Sequence, residues 1–417
     1  MISGVKLYGN KEMSISNEVV DVCDMNKVYV PLINNSVLCK CLVKEGKKVK
    51  IGSVIGLRED LDFPILSPVS GTVVGIKKGL YLTDEMVPCV VIENDKKDTV
   101  IKKKLVKDIS IYSKEDFIDT IKQCAVTGMG GSDFPTFLKY KSDLDILIVN
   151  AVECEPYITA DAMLVKLKAE IILEAIDAIM KINNIKKCFI AYKKDNSIVK
   201  NSFLEYIGKY KDIVLSPVKE MYPMGWERHL VKYILKLDYK KYPSEVGVVV
   251  NNVSTVFSIY KALKYGRNTT KRIVTLTGEG FNEPINVLVK VGTNMSSIIR
   301  KLGGYKPLED LKIIAGGPMM GKALKNDSVI VSNNLNCILA LPPVYDNEEN
   351  SCISCGRCLK VCPARICPVF IMKNIDNKDK LKELHPELCV ECGLCSFICP
   401  SKIDLRGEVI KAKKEVK

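Results

Sequence analysis

Cys352-Ile-Ser-Cys355-Gly-Arg-Cys358-Leu-Lys-Val-Cys362-Pro363 is followed by a second run of the same form, Cys389-Val-Glu-Cys392-Gly-Leu-Cys395-Ser-Phe-Ile-Cys399-Pro400. Each run sets three cysteines three residues apart and a fourth, before proline, four residues later. Three thiolates at that interval wrap a loop around one face of a [4Fe–4S] cube, and the fourth reaches the other cluster. The spacing therefore predicts one cluster on Cys352, Cys355, Cys358 and Cys399, and a second on Cys389, Cys392, Cys395 and Cys362. Crossed ligation of this kind would tie the two halves into one two-cluster ferredoxin module. Zinc sites use isolated C-x2-C pairs rather than this run twice over. The stretch Ile366–Leu388 is an insertion that minimal ferredoxins lack, and Cys367 within it reads as a packing residue.

The rest of the chain is much larger than this module. With 417 residues, 47% of them hydrophobic, it is expected to form several domains. There are 17 cysteines, and Met1–Lys11 shows no apolar leader, so a reducing, cytoplasmic setting with metal or redox chemistry is expected rather than disulfides. No run approaches the ~18 apolar residues of a membrane span. The two histidines, His229 and His385, leave little room for Ser–His–Asp hydrolysis or His-rich metal sites, and both read as surface or packing residues. The net charge of +13 suits acidic redox partners or an anionic membrane face. The lysines are scattered (Lys102–Lys104, Lys186–Lys187, Lys411–Lys414) without an arginine-rich or aromatic-interleaved motif, so nucleic acid is not an expected partner.

Four modules are legible. Residues 1–100 carry Val/Ile segments cut by turn glycines, Val43–Gly56 and Ser67–Ile76, as in a small sandwich or barrel. The two phrases resemble the barrel-sandwich hybrid of lipoyl and biotinyl carriers. The stretch between them, Arg58–Asp62, offers no lysine for a swinging arm, which leaves a docking or structural role. Residues 101–270 alternate short apolar strands (Asp145–Val149, Cys188–Tyr192, Val246–Val250) with a helix-periodic segment, Leu164–Ile182, as an α/β domain would. Residues 271–340 read as a β-grasp-like α+β unit, with strands at Arg272–Gly278, Val287–Val291 and Ile313–Ala315 and a helix at Met295–Leu302. Residues 341–417 hold a Pro-rich acidic linker, Leu341–Asn350, then the cysteine module and a short basic helix from Gly407.

The α/β module has three loops of interest. Gly128-Met-Gly130-Gly131-Ser-Asp-Phe134 would let backbone N–H groups approach a phosphate or a flat ring, or would simply make a tight turn. Asn150-Ala-Val-Glu153-Cys-Glu155 follows a buried strand, where α/β sheets bind ligands; a solvated loop is the plain alternative. Asn251-Asn252-Val-Ser-Thr255 follows another strand and suits phosphate contacts, a helix N-cap, or both.

In order along the chain, these motifs with Tyr222-Pro-Met-Gly225-Trp-Glu227 and Gly316-Gly-Pro-Met-Met-Gly321 resemble the C subunit of the Rnf electron-transport complex. That family shares its flavin domain with the 51 kDa NADH-oxidising subunit of respiratory complex I. The resemblance implies FMN that takes hydride from NADH and passes electrons to the two [4Fe–4S] clusters. It places Gly128, Gly130, Gly131 and Lys139 around the FMN phosphate side, and Asn150 and Glu153 at the ring. Asn251, Asn252 and Thr255 would hold the phosphate, Phe134 would stack near the nucleotide, and Glu155 and Glu227 would take its hydroxyls.

Two departures bear on the donor. The family usually reads Gly-Gly-Ala-Gly-Phe-Pro-Thr in the loop, where this chain has Ser132-Asp133. It usually reads Gly-Gly-Glu where this chain has Gly225-Trp226-Glu227. Asp133 would bring negative charge near a dinucleotide pyrophosphate, and Trp226, the only tryptophan, would fill or stack in its space. The expected function is electron transfer from NADH through FMN and the clusters to other electron-transfer subunits, with peripheral attachment to the cytoplasmic face of the inner membrane. The alternatives are a soluble paralogue feeding a dedicated reductase, such as proline reductase, and a ferredoxin adaptor with a degenerate flavin domain.

Overall fold

A computed structural model describes residues 3–15, 18–101, 108–343 and 348–416, the Ser110 side chain excepted. The Lys102–Lys104 run and the middle of the 341–350 linker lie outside them. The architecture is mixed α/β with β and α+β modules.

The barrel occupies Lys27–Asn94. A four-stranded antiparallel sheet runs Lys27–Pro31, Met86–Asn94, Gly71–Leu80, Lys48–Val49, and a three-stranded sheet runs Lys40–Cys41, Val54–Arg58, Phe63–Leu66. Side chains alternate across a strand. Val28 and Val30, Val90 and Ile92 therefore point inward and meet Ile55 of the other sheet in one core. The stretch between the two glycine phrases forms a short turn, Glu59–Leu61, with Asp62 in the left-handed region at φ 48°. Asp62 pairs with Lys122 of the next module at 3.0 Å, so this tip docks.

Within the 1–100 span the opening residues are not part of the barrel. Val5 exchanges backbone hydrogen bonds with Tyr222 (3.0 and 2.8 Å). Val19–Asp21 adds in parallel to Ile285–Lys290, far along the chain. A three-residue edge strand with partial burial carries no alternation to read.

The α/β module is a parallel sheet in the order Ile213–Val218, Lys187–Lys193, Ile146–Ala151, Val248–Asn252. The chain starts at Ile146–Ala151, builds outward to one side, and then returns to add Val248–Asn252 on the other. The reversal between those two strands is a topological switch point, where loops part and leave a crevice at the carboxyl ends. Leu147 and Val149 face helices Ala160–Ile182 and Val253–Tyr265. Ile148, Val248 and Val250 face helix Glu227–Leu235. The long helix departs from helical geometry at Lys168 (φ −141°, ψ 22°).

The third module is a sheet in the order Val19–Asp21, Ile285–Lys290, Lys271–Thr277, Cys337–Leu341, Lys312–Ala315, Lys322–Leu324. Helix Met295–Lys301 packs on it through Met295, Ile298 and Ile299. The last module is built from short helices. Those of the 366–388 insertion, Pro368–Lys373 and Lys378–Leu384, pack through Ile371 and Leu381 on Val409 and Ala412 of the terminal helix Leu405–Glu415.

Candidate functional site

The sheet brings three distant loops to its switch point. Asn150, at the end of the central strand, donates from Nδ2 to the Gly225 carbonyl at 2.9 Å and accepts from Val152 N–H. It therefore fastens the 222–227 segment over the strand end. Lys139 donates to the Val250 carbonyl at 2.8 Å and pairs with Glu227. Gly130 lies against Asn252, and a Cβ there would stand 3.1 Å from the Asn252 amide nitrogen. Met129 N–H donates to Thr255 Oγ1 at 2.9 Å. Gly128, Gly130, Gly131, Lys139, Asn150, Glu227, Asn252 and Thr255 thus gather at one crevice.

Its floor carries buried charge. The Glu153 carboxylate accepts from Asp161 N–H at 2.8 Å and faces Lys11 Nζ at 3.5 Å. Burial pushes its pKa up to about 7, against the pull of Lys11. Asp161 accepts from Asn252 Nδ2 at 2.6 Å and Ser254 Oγ at 2.5 Å, and burial raises it as well. Burial lowers Arg272 to about 10, opposed by Asp161 and Asp133. Buried charges persist only when paired and hydrogen-bonded in this way.

Several carried-over roles do not match these positions. Asn251 is 2% exposed and donates to Tyr140 OH. Alternation along the strand turns it away from the face that Asn252 presents. Glu155 is not free for a nucleotide, because its two oxygens accept from Met319 N–H (3.1 Å) and Met320 N–H (2.8 Å). Asp133 does not project toward the crevice. Its carboxylate accepts from Asn34 Nδ2 at 3.1 Å and Asn35 N–H at 3.2 Å, in the barrel hairpin. Asn34 in turn accepts from Arg58 at 3.2 Å, so the glycine loop is tied to the barrel. Phe134 is half-buried, with its carbonyl accepting from Gly128 N–H. Trp226 is half-buried, edge-on to His229 at 5.1 Å. His229 is a packing residue that burial holds down at about 4, and His385 lies exposed beside Glu387.

The cysteines form two groups. Cys352, Cys355, Cys358 and Cys399 line one cavity, and Cys367 stands in the same wall, half-exposed rather than packed in a core. Cys362, Cys389, Cys392 and Cys395 line another. Each group thus unites three cysteines of one run with the fourth of the other. Among the described residues no three His, Cys, Asp or Glu side chains converge on a single-ion point. A cubane holds each thiolate on a different iron and so spreads them around a space.

The second group is docked on the flavin-type domain. Tyr222 OH donates to the Cys392 carbonyl at 2.7 Å. Arg406 donates to the carbonyls of Met319 (3.2 Å) and Met320 (3.1 Å), the segment Glu155 holds from the other side. Gly393, at φ 78°, lets Met319 O approach where a Cβ would stand at 2.7 Å. Tyr222, Met319 and Met320 fall in motifs visible in the sequence. Arg406 has no signal there, because its partners are backbone atoms of a distant loop.

Family models match along the chain in turn. They are the RnfC barrel sandwich hybrid domain (residues 1–97), the Nuo51 FMN-binding domain (121–261), the SLBB domain (273–323) and a 4Fe-4S dicluster domain (351–403). The C subunit of the proton-translocating ferredoxin:NAD(+) oxidoreductase complex of Clostridium ljungdahlii is 32% identical over 390 residues, covering 89% of this chain and 83% of that relative. The chain belongs to the RnfC family. The C subunit of the ion-translocating oxidoreductase complex of Vibrio cholerae is 31% identical over 91% of this chain, which spans about half (51%) of that relative's length. A chain of an NAD+-reducing [NiFe]-hydrogenase in the H2-reduced state shares the fold, with a TM-score of 0.52 over 75% of this chain and 64% of that one at 13% identity. The FMN-binding domain and the 4Fe-4S dicluster domain give this chain FMN and two [4Fe–4S] clusters as cofactors. Among the described residues no helix is long and apolar enough to cross a membrane.

The crevice fits a flavin nucleotide. Gly130, Gly131 and Ser132 are exposed, and their N–H groups make no hydrogen bond among the described residues, as a phosphate cradle requires. Lys139 brings a cation to the carboxyl end of the neighbouring strand, where the Val250 carbonyl and Glu227 hold it, and Asn150 and Glu153 supply polar groups at the end of the central strand.

Proposed function

We propose that this chain takes electrons from NADH at FMN and passes them through its two clusters in series to a partner protein. The observation that carries the reading is the Tyr222–Cys392 hydrogen bond, with Arg406 and Glu155 gripping Met319 and Met320 beside it. It sets the Cys362/Cys389/Cys392/Cys395 group against the flavin domain and leaves the Cys352/Cys355/Cys358/Cys399 group, whose Cys355 is exposed, on the outer side. Bound FMN would supply the exchange between two-electron and one-electron steps. The chain's own residues would do the holding. Lys139 and the glycine tip would bind the phosphate, and Asn150 would keep the 222–227 segment closed over the strand end. Glu153, poised near neutrality, would face the ring. The partners would be the other subunits of an ion-translocating complex, with this chain attached peripherally at a cytoplasmic membrane face.

A second reading rests on Trp226 and on Glu155, which is already engaged by backbone amides: a donor other than NADH, or a soluble paralogue serving a dedicated reductase. An anaerobic titration of the loaded protein with NADH, followed optically and by EPR, separates the two. Bleached flavin with cluster signals appearing supports NADH as donor. Clusters reduced by dithionite while NADH leaves the flavin oxidised would overturn it.

A further inference from the structure

Behind the crevice, helices Ala160–Ile182 and Val253–Tyr265 and the edge of the third module's sheet enclose a slot of about 170 Å³. Its walls are mostly apolar and include Leu164, Phe257, Ile273 and Leu288. Three ammonium-bearing side chains, Lys168, Lys261 and Lys271, share it with the Arg272 guanidinium, which is already engaged by the Asn333 carbonyl and faces the charges of Asp161 and Asp133.

The charge balance there is one-sided. Lys271 has a carboxylate, Asp21, at 3.8 Å, and Asp21 is also occupied by Cys23 N–H at 2.8 Å. Lys168 and Lys261 have no carboxylate partner among the described residues; Lys261 Nζ only stands over the Phe257 ring at 4.6 Å. Burial, and then the neighbouring Lys271, Lys168 and Arg267, push Lys261 down to about 8. Crowded cations repel one another, and the buried one among them loses hydration, a cost that an anion in their midst offsets. The long helix leaves helical geometry at Lys168 itself, one of the three cations.

We propose that the slot binds a small organic anion, its carboxylate or phosphate head held by Lys168, Lys261 and Lys271 and its apolar body laid against Leu164, Phe257 and Ile273. The same walls include Met129 of the glycine loop and Ser254 of the first turn after Asn252. An occupant therefore touches the back of the flavin crevice. The head group's source is either a free acid or a lipid.

Isothermal titration of the loaded protein with straight-chain carboxylates of increasing length tests the proposal, with the matching alcohols as uncharged controls. Saturable binding is expected, tightening about fourfold per methylene until the slot is full. Lys261→Met and the exposed Lys168→Ala should each weaken it at least tenfold, with flavin and iron content unchanged. Sedimentation with vesicles of phosphatidylcholine, with and without phosphatidylglycerol, distinguishes the sources. Binding to the anionic vesicles alone, reduced in both variants, assigns the head group to lipid. Failure to bind either probe, or binding that neither variant alters, overturns the site.

Discussion

Tyr222 OH donates to the Cys392 carbonyl at 2.7 Å, joining a loop of the flavin domain to a cysteine of the nearer cluster cavity. Tyr222 is 1% exposed, so Tyr222→Phe leaves a buried acceptor unpaired at a cost of about 1–2 kcal/mol. The expected result is full flavin and iron content with slower passage of electrons between them. Stopped-flow traces should show flavin bleaching at the wild-type rate while cluster reduction lags. Identical traces would mean that the hydroxyl does not position the two modules.

Crossed ligation has a simple double-variant signature. Cys355→Ser with Cys399→Ser removes two ligands from one cavity, so half of the iron should remain. Cys355→Ser with Cys362→Ser takes one ligand from each cavity, and both clusters should suffer. Iron counting with EPR decides between them, and the opposite pattern would assign each cluster to a single run.

Asp133 is buried, and burial raises its pKa from 3.8 to about 6. Folding therefore favours its protonated form. Its contribution to stability is whole below about pH 4, falls as pH rises through 6, and is gone above that. The two-unit difference corresponds to about 3 kcal/mol. Asp133→Asn should abolish this decline, so its unfolding midpoint gains on the wild type between pH 4 and pH 7. Parallel curves for the two proteins across that window would contradict the assignment.

Glu155→Gln replaces one acceptor oxygen with an NH2 group that cannot accept from Met319 or Met320. A loss of about 2 kcal/mol in stability is expected, with the KM for NADH within twofold of wild type. A tenfold rise in KM at unchanged stability would return Glu155 to the nucleotide.

The cysteine spacing and the strand-end positions of Asn150 and Asn252 are legible in the sequence, because local chemistry repeats at short intervals. The strands at 146, 187, 248, 271, 285 and 312 show themselves through apolar runs. Ile213–Val218 does not, since it is an outer strand interrupted by Pro217 with only its ends buried. Cys337–Leu341 is hidden against the Pro-rich linker that follows it. Asn34–Asp133 and Glu155–Met320 join residues some hundred or more positions apart. No periodicity encodes such contacts. Asp133 and Glu155 therefore look, in sequence, as though they face a ligand, when each in fact fastens one module to another.

The opening residues thread the whole molecule: Val5 pairs with Tyr222, Lys11 reaches Glu153, and Val19–Asp21 lies beside Ile285–Lys290. Sequence order and mechanical order therefore differ. A single backbone cut after the barrel would not free it, because its leading strand remains woven into the other pieces. The two fragments, produced separately, are candidates for reassembly into one working particle, a split protein whose halves find each other through a strand rather than a tag.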